Sequence, residues 1–204
     1  MTNTNIYKNL MEIKHGAQTL DDFIKTIQKA IADENAKKSG SYNLKKSMEN
    51  VLKLARSTPR EALHYAHISN GFQYVCDGFQ IIKTSTPQEL PTLPEKMEYV
   101  DVERILRAYD IHNAFNVNLP TLDELTTVLT ERKAQIKAKQ TDAKTAYAYT
   151  LYTETGAECD YNININYLIN ALKAGCTRGT VNKYNFLFTN DSESIIYLIC
   201  GVRK

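Results

Sequence analysis

Leu63-His-Tyr-Ala-His-Ile-Ser-Asn-Gly-Phe-Gln-Tyr-Val-Cys-Asp-Gly-Phe-Gln-Ile-Ile-Lys-Thr-Ser85 decides the fold class. Two turn dipeptides, Asn70-Gly71 and Asp77-Gly78, cut it into short β-prone runs. Asn-Gly and Asp-Gly favour the left-handed backbone that tight hairpin turns require. The stretch therefore predicts a three-stranded antiparallel meander, with strands at 63–69, 72–76 and 79–84.

Upstream, the hydrophobic period changes from two to between three and four. Leu44, Met48, Val51, Leu52 and Ala55 form one apolar stripe, which predicts a helix over 43–57 that ends before Pro59. Its other face carries Lys45, Lys46, Lys53 and Arg56 against Glu49. Further upstream, residues 5–15 read as a short helix closed by Gly16. Thr19 caps a second helix with the stripe Leu20, Phe23, Ile24, Ile27 and Ile31. Asn35 to Ser41 is small and polar, which reads as a linker.

Downstream, Pro87, Pro91 and Pro94 mark an extended connector, followed by a short helix near Val102–Tyr109. Phe115–Leu119 alternates as a strand. Pro120 and Thr121 open a helix over about 121–140, whose second half carries Arg132, Lys133, Lys137 and Lys139. Strands at 147–153 and 159–163 precede a helix over 166–174 that carries Lys173. The chain closes with strands near 180–183, 184–189 and 194–202. Hairpin-linked strand groups with separate amphipathic helices predict an α+β fold rather than a doubly wound parallel sheet. One helix with a short set of strands recurs three times, although no literal sequence repeat exists.

The chain has 204 residues, 43 % hydrophobic and 24 % charged, enough for a real core and incompatible with global disorder. Its net charge of +2 does not by itself indicate nucleic acid. No apolar run reaches the roughly 18 residues of a membrane span. The first residues carry no apolar signal core, so a cytoplasmic location is expected. Cys76, Cys159, Cys176 and Cys200 lack paired spacing and read as free, mostly buried thiols rather than zinc ligands. His64 and His67, on a straight strand, would fall on opposite faces and share no metal. There is no G-x-S-x-G, P-loop or H-E-x-x-H motif. Asp21/Asp22 and Asp123/Glu124 suit helix first turns. The sequence therefore points to no catalytic residue, cofactor or metal. Phe72, Tyr74, Phe79, Tyr147, Tyr149 and Tyr152 read as core more readily than as base-stacking platforms.

Four pieces resemble the DNA polymerase sliding clamp and small clamp-like proteins of phages and mobile elements. Ala66–Ile82 resembles the clamp hairpin ending A-T-D-G-aromatic-x-L, with Cys76 at the threonine position. Leu93–Leu106 is similar to the inter-domain Y-P-D-Y…I-P crossover, with Val100 for the proline. Asn164–Leu172 resembles the inner helix F-N-x-x-Y-L-x-D-x-L, with Asn170 for the acid. Ser194–Arg203 resembles the last strand, ending M-P-x-R, with Gly201 for the proline.

The resemblance covers about residues 42–204, leaves a helical segment at 1–40 outside it, and implies a partial clamp-like unit at 41–98 and a clamp-like domain at 99–204. It implies a non-enzymatic, DNA-associated accessory protein. DNA-backbone contacts would come from Lys45, Lys46, Lys53, Arg56, Arg132, Lys133, Lys137, Lys139 and Lys173. It also implies an apolar peptide groove at Leu168, Leu172, Ile199 and Val202, with a polymerase or other replication protein as partner, and a homo-oligomer. The alternative is a protein-interaction module that kept the fold without DNA binding.

Overall fold

The structure, a computed structural model, describes residues 11, 16 and 19–204. The chain divides into two compact units, residues 1–42 and 43–204. Apart from Met11, the helix expected over 5–15 lies outside the described residues.

In the first unit, helix α1 spans Leu20–Lys38. Thr19 caps it as expected, its Oγ1 accepting the Asp22 N–H at 3.2 Å. The helix runs through most of the expected linker, because Ala36, Lys37 and Lys38 are good helix formers. It stops at Ser39, whose N–H donates to the Asn35 carbonyl, followed by Gly40 at φ +74°. Its buried residues are Phe23, Ala32 and Ala36, whereas Leu20, Ile24 and Ile31 of the expected stripe are exposed.

The second unit begins its regular structure with helix α2 (Tyr42–Ala55). Strands β1 (His67–Ser69), β2 (Phe72–Cys76) and β3 (Gln80–Thr84) follow as an antiparallel meander. Asn70 (φ +51°) and Gly71 (φ +78°) both take the left-handed turn that their dipeptide predicts. The Asp77-Gly78 turn is wider: Cys76 pairs with Ile81, and Asp77 Oδ1 accepts the Phe79 and Gln80 N–H groups. That carboxylate turn starts β3 at Gln80, one residue later than expected. The expected strand at 63–69 is also shorter, because Glu61–His64 forms a 3-10 turn that buries Leu63. His64 is therefore not on a strand; His67 is, and its ring stacks on Tyr99 at 4.9 Å.

Helix α3 (Val102–Arg107) and strand β4 (Phe115–Asn116) precede helix α4 (Leu122–Lys137). Thr121 and Glu124 form a reciprocal capping box at the start of α4. Asp142 caps a helix that the sequence reading missed, α5 (Ala143–Tyr147). It occupies the start of the expected strand at 147–153, leaving only β5 (Ala148–Tyr149). Strand β6 (Tyr161–Asn164) leads into helix α6 (Ile165–Lys173), capped by Asn164. Strands β7 (Arg178–Asn182), β8 (Asn185–Thr189), β9 (Ile195–Cys200) and β10 (Val202–Arg203) complete the chain.

The main sheet has the order β1-β2-β3-β9-β8-β7-β4, antiparallel throughout. Its middle is the β3–β9 pair, registered with Ile82 opposite Tyr197. Two helix-plus-meander units, α2-β1-β2-β3 and α6-β7-β8-β9, thus meet strand to strand. The third unit that the element pattern suggests is not a full copy: β4 adds to the edge at β7, and β5 and β6 join β10 in a separate small sheet. The stretches 41–98 and 99–204 share the main sheet and, from residue 43, one compact unit.

The expected last strand at 194–202 splits at Gly201, with β9 in one sheet and β10 in the other. A Cβ at Gly201 would lie 2.6 Å from the Tyr184 carbonyl oxygen and 2.9 Å from Tyr161 Cβ, so only glycine lets the chain cross there.

Side chains alternate across the sheet. Val75, Ile82, Phe186, Phe188, Tyr197 and Ile199 pack on one face with Leu44, Met48 and Val51 of α2, Leu125 of α4 and Leu168 of α6. The opposite face presents Tyr74, Cys76, Ile81 and Leu198 to Val102 and Tyr109. The three longer helices of this unit therefore cover one face and short α3 the other. Among the described residues no helix is long and apolar enough to cross a membrane.

Candidate nucleic-acid interface

Helix α2 buries Leu44, Met48, Val51 and Leu52 and turns Lys53 and Arg56 to solvent. Lys45 does not join them. It is 1 % exposed, and its Nζ lies 3.9 Å from Glu49 Oε1. A buried ammonium reaches no phosphate, so Lys45 is removed from the expected contact set. Lys46 is half-buried and bonds Glu49 Oε2 at 2.9 Å, which neutralises most of its field.

Helix α4 exposes Lys133 and Lys137, with Lys139 just beyond its end. Arg132 points elsewhere. Its guanidinium donates to the carbonyls of Ala146 (3.1 Å) and Ala148 (2.6 Å) and lies 5.8 Å from the Tyr149 ring centroid. It ties α4 to α5 and β5, so its Nη1 donors are committed inside the fold. Lys173, in the last turn of α6, is exposed.

Six expected cations thus remain at the surface: Lys53, Arg56, Lys133, Lys137, Lys139 and Lys173. Among the described residues none of the six makes a salt bridge. Four of them lie on helices that cover one face of the main sheet, and Arg56 and Lys139 lie just past the ends of two of those helices. Helix α6 is fastened to α2 there: Ser47 Oγ donates to the Asn170 carbonyl at 2.9 Å, and Asn170 Nδ2 donates to the Ser47 carbonyl at 3.0 Å.

The expected peptide groove is not open as drawn. Leu168 and Ile199 are both 0 % exposed and belong to the core, leaving only Leu172 and Val202 half-buried. Among the aromatic candidates, Tyr74 is core, Phe72, Tyr147 and Tyr149 are half-buried, and Phe79 and Tyr152 are exposed. Exposed Tyr184 was not anticipated, although its place in the Asn182-Lys-Tyr-Asn185 turn marks it. Also unanticipated is a hollow of about 380 Å³ on the opposite face, floored by Leu106, Ile111, Leu187 and Ile196 and rimmed by Arg178 and Glu193. Its residues come from distant segments, so no local pattern announces it.

All four cysteines are free thiols. Burial pushes Cys76 up to about 11 and Cys176 up to about 12, far from a nucleophilic thiolate. Among the described residues no three His, Cys, Asp or Glu side chains are grouped to hold a metal ion.

No protein-family model matches the chain, and no curated protein matches it. Several solved structures are similar to it, among them two bacterial proteins. One is a putative DNA polymerase III beta subunit from Eubacterium rectale, 13 % identical, with a TM-score of 0.46, covering 78 % of this chain and 63 % of that one. The other is the DNA polymerase sliding clamp from Pseudomonas aeruginosa, 8 % identical, with a TM-score of 0.48, covering 78 % of this chain and 65 % of that one. The chain spans less than two thirds of the length of either. At these identities the likeness bears on neither DNA contact nor activity.

Proposed function

We propose that this protein is a non-enzymatic, DNA-associated accessory protein with a sliding-clamp-like fold, and that it meets the DNA backbone without reading bases. The observation that carries the reading is the set of six exposed cations on, or just past the ends of, helices that cover one sheet face. Phosphates need only positive charge at suitable spacing, and such contacts release counterions. The four clamp-like sequence pieces and the paired helix-plus-meander units support the same reading. A second copy completing a ring, replication proteins as partners, a cytoplasmic location and an origin in a phage or mobile element belong to this proposal.

The test is a salt titration of duplex binding. Six phosphate contacts give a slope of about −5 in log K against log salt, and each lost contact removes about 0.9. Lys53→Ala with Arg56→Ala should therefore flatten the slope by roughly 2 with little dependence on DNA sequence. An unchanged slope would mean that this face is only solvated. The apolar hollow on the opposite face favours the second reading, a protein-interaction module. Retention of a protein partner with no duplex binding would select it.

A further inference from the structure

At the end of β9 two consecutive amides point to opposite neighbours. The Cys200 N–H donates to the Phe79 carbonyl at 2.8 Å, and the Gly201 N–H donates to the Tyr184 carbonyl at 2.5 Å. Phe79 and Tyr184 thus flank this strand end, 61 % and 51 % exposed. Aromatic rings left in water at a rigid corner need an explanation, because burying them contributes more than burying most side chains. The Tyr161 ring meets Tyr184 edge-on, with centroids 6.1 Å apart. The missing Cβ of Gly201 makes room for both residues.

Positive charge adjoins these rings. Arg203 lies directly opposite Tyr161 in the β10–β6 ladder, so the two side chains share a face. Lys183 precedes Tyr184 at the hairpin tip, exposed and at φ +52°. The nearby anions are Glu158, paired with Lys204, exposed Asp160, and Asp77, whose carboxylate is buried and bonded to the Phe79 and Gln80 N–H groups. Exposed rings beside guanidinium and ammonium groups suit a ligand with flat faces and a negatively charged backbone. A duplex hides its base faces, but a single strand offers them.

We infer that Tyr184 and Tyr161, with Arg203 and Lys183, form a stacking site for single-stranded nucleic acid. The site is separate from the basic helix faces and does not depend on duplex binding there. The test uses the full chain and a fluorescently labelled oligo-dT, read by anisotropy, with a labelled duplex in parallel. Wild type should bind oligo-dT. Tyr184→Ala should weaken that binding about fivefold or more, the lower end of what one stacked base is worth, while leaving duplex binding unchanged. Tyr184→Phe keeps the ring and should bind nearly as wild type, which separates stacking from hydrogen bonding. Arg203→Ala should weaken binding and reduce its salt dependence. No oligo-dT binding, or equal binding by wild type and Tyr184→Ala, would overturn the assignment. So would displacement of bound oligo-dT by duplex but not by free thymidine-rich single strand.

Discussion

Replacing Asn170 with Leu removes the polar hub that joins both halves of the main sheet to their helices. Asn170 is 7 % exposed. Its Nδ2 donates to the Ser47 carbonyl (3.0 Å) and to the Tyr197 hydroxyl (2.7 Å), and its Oδ1 accepts from Asn50 Nδ2 (3.1 Å). Tyr197 in turn donates to Gln80 Oε1 at 2.5 Å, and Gln80 Nε2 donates to Asp77 at 2.7 Å. Leu keeps the branching and heavy-atom count of Asn, so hydrogen bonding is the main chemical loss. Two buried bonds at about 1 kcal/mol each, plus a weaker part-buried one, predict a loss of roughly 2–3 kcal/mol. For a chain of this length that lowers Tm by about 4–12 °C. Urea and thermal unfolding followed by circular dichroism give the value. A double-mutant cycle with Tyr197→Phe isolates the Asn170–Tyr197 bond, and the two losses should not add. A loss under about 0.5 kcal/mol, or strict additivity, would refute the hub. Asn170→Asp sharpens the test, because a carboxylate there faces the Ser47 carbonyl oxygen. Its folded-state pKa should rise above the unfolded value, so the variant's deficit against wild type should shrink as pH falls.

Gly201→Ala should cost about 1–3 kcal/mol in urea unfolding, because the new Cβ meets a backbone carbonyl that cannot swing aside. Tyr74 and Lys83 both donate to the Glu103 carboxylate and hold its pKa below the ordinary value. Its contribution is complete above the unfolded pKa and disappears as pH falls through the folded one, so Glu103→Gln should flatten the acid limb of a stability-versus-pH curve. With an aromatic disulfide reagent at neutral pH, half-buried Cys200 should react before Cys76 and Cys176, which should stay silent until the chain unfolds.

Much of the strand pattern was legible because particular residues carry backbone information. Asn70-Gly71 states its own turn, and Thr121 with Glu124 states a helix start. What local sequence could not show is where a strand changes partners. Ser194–Val202 is one apolar run, and its break at Gly201 follows from a clash with Tyr184 and Tyr161, residues that come close only in the folded chain. Likewise Ala143–Tyr147 reads as the run-up to a strand. Asp142 caps it as a helix, and the Arg132 guanidinium, from α4, accepts responsibility for its two carbonyl partners there by donating to Ala146 and Ala148.

Charge was the least legible property, and Lys45 explains why. It stands seven residues before Leu52, so two helical turns place both on nearly one azimuth. Counting Lys45 with the basic face followed residue type, whereas the wheel already put it beside the apolar stripe. Arg132 repeats the pattern: it stands seven residues after buried Leu125, so the wheel puts it on the apolar stripe of α4, and the carbonyls of Ala146 and Ala148 receive its guanidinium there. Lys53 stands opposite the stripe of α2, and its i−4 neighbour Glu49 is already paired with Lys45 and Lys46. On α2 that leaves Lys53 and Arg56, near the helix C-terminus, where the helix dipole attracts cations even without DNA. Exposure there thus has a local electrostatic cause, and the salt slope of binding, rather than the positions alone, separates phosphate contact from that cause.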